Sequence, residues 1–164
     1  MVESRFAWAT LAASALFLEL AALFFQYGMQ LEPCVLCVYE RTAVLGVFAA
    51  GLIGALAPSR RWLRVPGYLL WGLSAGWGLY LAVRHTGIQL GVIDPPLSCS
   101  FEAEFPAWAQ LDQWLPYLFQ PTGYCDEIQW RFLSLSMPQW MVAIFAFYLL
   151  VLLLVLIREV RRPG

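Results

Sequence analysis

The sequence predicts an all-α integral membrane protein: a four-transmembrane-helix bundle with a long irregular periplasmic loop carrying a short interfacial helix. Three observations carry that expectation. The 164 residues are 61% hydrophobic and only 13% charged, where soluble domains carry roughly 25% charged residues. Four apolar runs, at about 6–26, 34–57, 66–83 and 137–157, account for half the chain, and a spanning helix needs about 20 mostly apolar residues, with about 17 tolerated. The basic residues, all of them arginine, are distributed unevenly among the connecting segments, as topology in a bilayer demands.

Taken in order, the first run carries a single charge, Glu19. It is too long for a signal-peptide core and its leading segment is barely basic, so a retained helix is expected. The second run reaches spanning length only if it starts near Pro33, a residue suited to the first turn of a helix because its missing N–H would be unpaired there anyway. The third is rich in small residues, Gly72, Ala75, Gly76 and Gly78, and Gly72-x-x-x-Gly76 would permit close helix contact. The fourth, opening at Met137, contains no charge before Arg158.

Segments 27–33 and 84–136 then lie on one face of the membrane and 58–65 on the other. Arg5, Arg60, Arg61, Arg64, Arg158, Arg161 and Arg162 share the side of the termini, whereas Arg41, Arg84 and Arg131 fall opposite. Positive residues stay cytoplasmic. The expected protein is a multi-pass single domain over 1–164, with both termini cytoplasmic. Within the long loop, Trp108, Leu111, Trp114 and Leu115 recur at helical spacing. They predict a short helix lying at headgroup level or against the protein's own outer surface, ended by Pro116.

All four cysteines, Cys34, Cys37, Cys99 and Cys125, fall on the outer face, where disulfides persist. Four cysteines allow three pairings. Cys34–Cys37 with Cys99–Cys125 is the one favoured by local closure of a Cys-x-x-Cys, and the resting connectivity stays open. If a helix begins at Pro33, then Cys34, Cys37 and Arg41 share one face. Exposed backbone N–H groups and the guanidinium would then both favour thiolate. A four-residue disulfide loop makes a poor structural staple, because loop-closure stabilisation grows with loop length. A zinc site would need four ligands, usually in close pairs, and Cys99 and Cys125 stand far apart beside a single histidine; no resident metal is expected. Cys99 and Cys125 suit attack by the thiolate of a water-soluble protein. Glu19, inside the first span, could relay protons, pair with Arg41 or make a structural hydrogen bond.

Two disulfides on one membrane face suggest a relay, and a relay needs an electron sink. Rossmann, haem-attachment and iron–sulfur spacings are all missing from the sequence. The remaining sink for a thiol at lipid depth is a quinone.

Pro-Cys-Val-Leu-Cys-Val-Tyr-Glu-Arg at 33–41, the paired later cysteines and Met137-Pro-Gln-Trp140 closely resemble the DsbB family of bacterial disulfide-bond formation proteins over essentially the whole chain. The resemblance implies a protein-dithiol:quinone oxidoreductase. A reduced DsbA-like thioredoxin-fold protein would attack Cys99 and free Cys125, and the electrons would pass to Cys34–Cys37. Cys37 would adjoin the quinone, ubiquinone or menaquinone. Arg41 matches the family's quinone-site arginine, and His85 and Gln89 fall where that family has residues near the quinone ring. The implied partners are the periplasmic thiol oxidase, the lipid bilayer, the quinone pool and the respiratory chain; nucleic acid is not expected. The sequence departs from better-known members at Thr42 and in the His85-to-Cys99 spacing. That the DsbA–DsbB–quinone system keeps the periplasm oxidising is general knowledge of such systems rather than a finding on this chain. With DsbA near −120 mV, a structural disulfide below about −300 mV would be the wrong oxidant by roughly 8 kcal/mol, so electron removal by quinone must drive the reaction. Two other readings are a quinone-linked oxidase for a different periplasmic thiol partner and a disulfide-stapled membrane scaffold without turnover.

Overall fold

In the computed structural model, which describes residues 4–56, 58–94 and 103–161, the apolar runs form four long helices. These are α1 (Arg5–Leu23), α2 (Val35–Leu56), α3 (Arg61–Gln89) and α6 (Met137–Val160). Between α3 and α6 come two one-turn helices, α4 (Leu111–Trp114) and α5 (Pro116–Phe119), and a two-stranded hairpin, β1 (Arg131–Phe132) with β2 (Leu135–Ser136). Among the described residues, three helical segments are long and apolar enough to cross a membrane: Arg5–Gly28, Val35–Leu56 and Met137–Val160. The third long helix, α3, has 29 residues but is less apolar, because Gly, Trp and Tyr recur through its middle.

Each helix end has a local cause. At its C-terminus α1 widens into a single π-helical stretch, Phe24–Gly28. The expected first turn of α2 at Pro33 is corrected: the helix starts at Val35, and Cys34 is its N-cap, its carbonyl accepting from Val38 N at 3.1 Å. Thus α3 overruns the expected 66–83 span at both ends, with Pro66 inside it. The last helix, α6, opens with a capping box in which Gln139 Oε1 accepts from the Ser136 backbone N–H at 2.8 Å, satisfying an otherwise orphaned donor.

The helices pack in the order α1–α2–α3–α6. A hydrogen bond between Ser14 and Tyr148, 3.0 Å long, ties α1 to α6. Trp8, Val44, Val47, Trp71, Ala75, Phe145 and Leu152 form the buried core. Close approach depends on glycines other than the expected pair. Any Cβ on Gly78 would strike the Phe145 ring, and one on Gly51 would meet the Ala12 backbone at 2.7 Å. Gly76 has nothing within 4 Å of where its Cβ would stand, so the Gly72-x-x-x-Gly76 contact is corrected: only Gly72 approaches another helix, at Leu152.

The expected helix around 106–115 is also corrected. Trp108 sits in a turn, and only Leu111–Trp114 is helical. Pro116 begins a second one-turn helix rather than ending the structure, which is consistent with proline's preference for a first helical position. Trp108 and Trp114 are exposed. Nor is the loop irregular throughout: Leu133 and Ser134, both at positive φ, turn the β1–β2 hairpin as two-residue hairpin loops require.

Candidate active site

Geometry at the mouth of the bundle begins with Cys34. As the N-cap of α2 it replaces the usual oxygen cap with sulfur: Cys37 N–H donates to Cys34 Sγ at 3.3 Å, the N3 donor that a capping side chain normally satisfies. The same turn brings the two sulfurs to 2.7 Å as free thiols. Local helix geometry alone therefore sets them within reach of a disulfide.

Two further groups reach this pair from distant segments. His85 Nε2 lies 3.5 Å from Cys34 Sγ, and its other nitrogen, Nδ1, lies 3.1 Å from Glu40 Oε1. All four residues belong to the mouth region, and Cys34, Glu40 and His85 are buried. His85 arrives because α3 continues to Gln89 instead of ending near Val83; His85 and Gln89, four apart, share one face. The second group is Cys125, buried with Cys34 in the same apolar cluster. Its loop is fastened to the start of α2 by Thr122 N and Gly123 N, which donate to Pro33 O at 2.8 and 3.1 Å. No side chain fits at position 123, where a Cβ would collide with the Glu32 carbonyl.

This burial changes the thiol chemistry. Desolvation first, then hydrogen bonds with Cys125 and Cys37, push the Cys34 thiol well above the ordinary thiol range. At Cys34 burial disfavours the charged form more strongly than the exposed N–H groups of the helix start favour it. His85, two residues beyond the apolar 66–83 run, sets its imidazole between this thiol and the Glu40 carboxylate.

Arg41 is buried and lines the same cavity as Cys37, as the one-face argument predicts, while its hydrogen bonds go to oxygen acceptors. Its Nη1 donates to Gln26 Oε1 at 2.6 Å and Leu118 O at 2.9 Å, and its Nη2 donates to Ala22 O at 3.2 Å. The guanidinium thus joins α2 to the end of α1 and to α5. The ring nitrogen beside the cysteines is that of His85.

Beneath these groups lies a cavity of about 290 Å³, to which Glu19, Gln26, Cys37, Glu40, Arg41, His85 and Gln89 contribute polar lining. Its walls are largely apolar and aromatic, with Phe25, Trp130 and Trp140 among them. Phe25 packs on Trp130 and Trp130 stacks on Phe132, while Trp140 Nε1 donates to Phe132 O at 3.1 Å. The hairpin therefore braces two wall residues, Trp130 and Trp140, without lining the cavity itself. Gln89 Oε1 and both Glu19 carboxyl oxygens are buried with no hydrogen-bond partner among the described residues. Such orphaned groups are costly unless something supplies a partner.

The structure therefore brings together six of the seven residues expected at the site: Cys34, Cys37, Cys125, Arg41, His85 and Gln89. Cys99 lies outside the described residues. Sequence reasoning missed Glu40, Gln26, Gly123 and the hairpin. Glu40 carried a readable signal, being an ionisable residue at membrane depth one turn from Cys37. Gly123 and the hairpin carried none.

Comparison with known proteins follows the same direction. The family model described as disulfide bond formation protein DsbB matches residues 4–155. The chain is 61% identical over 153 residues to a disulfide bond formation protein B from Aeromonas salmonicida, covering 93% of this chain and 88% of that protein. It is 53% identical over 158 residues to the same-named protein of Psychromonas ingrahamii, covering 96% and 85%. A third relative, from Sodalis glossinidius, is 52% identical over 161 residues, covering 98% and 90%.

Proposed function

This chain belongs to the DsbB family of disulfide bond formation proteins, and from that membership we propose that it reoxidises a periplasmic DsbA-like thiol oxidase and passes two electrons to a membrane quinone. The observation that carries this reading is the placement of Cys37, Arg41, His85 and Gln89 on one apolar cavity, with Cys125 docked on Cys34 at its rim.

The residues present fit a quinone. The aromatic and aliphatic walls suit a flat ring. Gln89 Oε1 and the Glu19 carboxyl oxygens are buried without a hydrogen-bond partner among the described residues, and the volume is near the lower end of small-molecule pockets, suited to a headgroup whose tail remains in lipid. Ubiquinone and menaquinone share this chemistry. When bound, such a group accepts two electrons and two protons as the Cys34–Cys37 disulfide closes.

The chain's own residues supply the remaining steps. The partner's thiolate attacks the Cys99–Cys125 disulfide at Cys99 and releases Cys125; its second thiol then resolves the mixed disulfide, leaving the partner oxidised and Cys99 and Cys125 as thiols. Cys125, already seated on Cys34, opens the Cys34–Cys37 disulfide by attack at Cys34, and Cys99 closes the loop disulfide again. Both reducing equivalents then rest on Cys34 and Cys37. His85, between Glu40 and Cys34, holds a proton at Nε2 where a thiol must gain or lose one. Arg41 fixes α1, α2 and α5 around the cavity and provides a positive field there. The four long helices span the bacterial inner membrane with both termini cytoplasmic, and Trp108 and Trp114 face the headgroups.

The test is turnover. Purified chain, reduced thioredoxin-fold partner and a soluble quinone analogue are mixed and quinone absorbance is followed. Partner-dependent quinone reduction is expected, lost in Cys37→Ser. Folded protein that reduces no quinone in the presence of partner overturns the proposal.

A further inference from the structure

We propose that the reduced protein carries a Cys₂His binding site for a thiophilic divalent cation such as Zn²⁺ or Cd²⁺, built from Cys34 Sγ, Cys37 Sγ and His85 Nε2. The three ligand atoms lie within 4.8 Å of one another. Spacing along the chain could not show this set, because the histidine comes from another helix.

The geometry is close to what the metal requires. Zinc bonds of about 2.3 Å to sulfur and about 2.0–2.1 Å to nitrogen put tetrahedral sulfur and nitrogen ligands roughly 3.5 Å apart. Cys34 Sγ and His85 Nε2 already stand at 3.5 Å. The two sulfurs, at 2.7 Å, need only separate by about 1 Å to reach the roughly 3.8 Å of a zinc dithiolate, which side-chain rotation supplies.

A second observation points to a ligand role for the imidazole. Metal-binding histidines donate their other ring N–H to a carboxylate or carbonyl, which fixes the tautomer and aims the free nitrogen at the metal. Here Nδ1 is paired with Glu40 Oε1 at 3.1 Å, leaving Nε2 directed at the sulfurs. Both Cys37 and His85 also line the cavity, which gives a cation an approach and leaves the fourth position open to water, as in three-ligand zinc sites.

Binding is not a redox step. Two thiols, an imidazole protonated at Nε2 and one M²⁺ give two metal–sulfur bonds and one metal–nitrogen bond, and three protons pass to solvent, one each from Cys34, Cys37 and His85 Nε2. The disulfide form has no thiolates to offer. A bound cation therefore holds Cys34 and Cys37 apart as thiolates and stops them closing, so thiophilic metal and disulfide formation compete for the same sulfurs.

The experiment uses the full chain in detergent, reduced and freed of reductant, then titrated with Co²⁺ and back-titrated with Zn²⁺. The expected result is one Co²⁺ per reduced chain, a near-ultraviolet sulfur-to-cobalt charge-transfer band that Zn²⁺ abolishes, and no band in the oxidised chain. His85→Ala and Glu40→Gln should each weaken binding by about 10-fold to 100-fold, while Cys125→Ser retains the band. Equal binding by oxidised and reduced wild type overturns the proposal, and that comparison stands even if a variant fails to fold. So does a band that folded His85→Ala and Glu40→Gln leave unchanged.

Discussion

Thr122 donates its amide to the carbonyl of Pro33 at 2.8 Å, fastening the late loop to the residue immediately before Cys34. Gly123 follows with a second bond to the same carbonyl. Exchange between the loop cysteines and the helix-start pair thus depends on a backbone clasp two residues from Cys125, rather than on chance encounter within a long loop.

The clasp predicts a specific defect. In Gly123→Ala the added methyl collides with the Glu32 carbonyl and must push the loop away. Electron transfer from Cys125 to Cys34–Cys37 should slow by at least about tenfold, since misplacement by about 1 Å is enough to cost 10²-fold in a positioned reaction. Rapid quench with thiol alkylation and peptide mapping reads the step directly. Direct chemical reduction of Cys34–Cys37 should be much less affected; equal slowing of both would mean that the substitution acts elsewhere.

Arg41 predicts a different signature. Arg41→Lys keeps the charge but cannot serve Gln26, Leu118 and Ala22 together from a planar fork. Loss of buried, charge-assisted bonds worth about 1.5–3 kcal/mol each should loosen the cavity and raise the KM for quinone by about tenfold or more. The rate of exchange with the periplasmic partner should change little. Steady-state kinetics with each substrate varied in turn separates the two.

The His85–Glu40 pair predicts a stability defect. His85 Nδ1 stands 3.1 Å from Glu40 Oε1 and both side chains are buried. His85→Ala leaves the carboxylate buried without that partner, which costs about 1–3 kcal/mol or more for a charged group. The thermal midpoint of the reduced protein in detergent should fall, and a midpoint unchanged by His85→Ala would count against the pair.

Helix packing gives the fourth expectation. Gly78 lies directly beneath the Phe145 ring, where no Cβ fits. Gly78→Leu should destabilise the bundle by about 1–3 kcal/mol through overpacking. Gly76→Ala, in open space, should leave the thermal midpoint within error. The two glycines are neighbours in sequence and opposite in prediction, so a matched pair of melting curves decides the matter.

How much of this was legible in the sequence follows from the range of the interactions involved. Composition and the four apolar runs depend only on residue type and order, and they were enough to place the four long helices. Cys34 and Cys37 meet through one helical turn, so their spacing sufficed. The 33–41 motif, the later cysteines and residues 137–140 were likewise enough to indicate the family. The rest was decided by contacts between distant segments. His85 reaches Cys34 only because α3 runs six residues past Val83, and the guanidinium of Arg41 is held by acceptors on Ala22, Gln26 and Leu118 that no periodicity displays. Cys125 meets Cys34 through a carbonyl at Pro33 and the missing side chain at Gly123. Sequence order fixes which helices form because each buries its own backbone bonds. Which polar group faces which sulfur depends on how those helices and loops pack, and only the tertiary structure decides it.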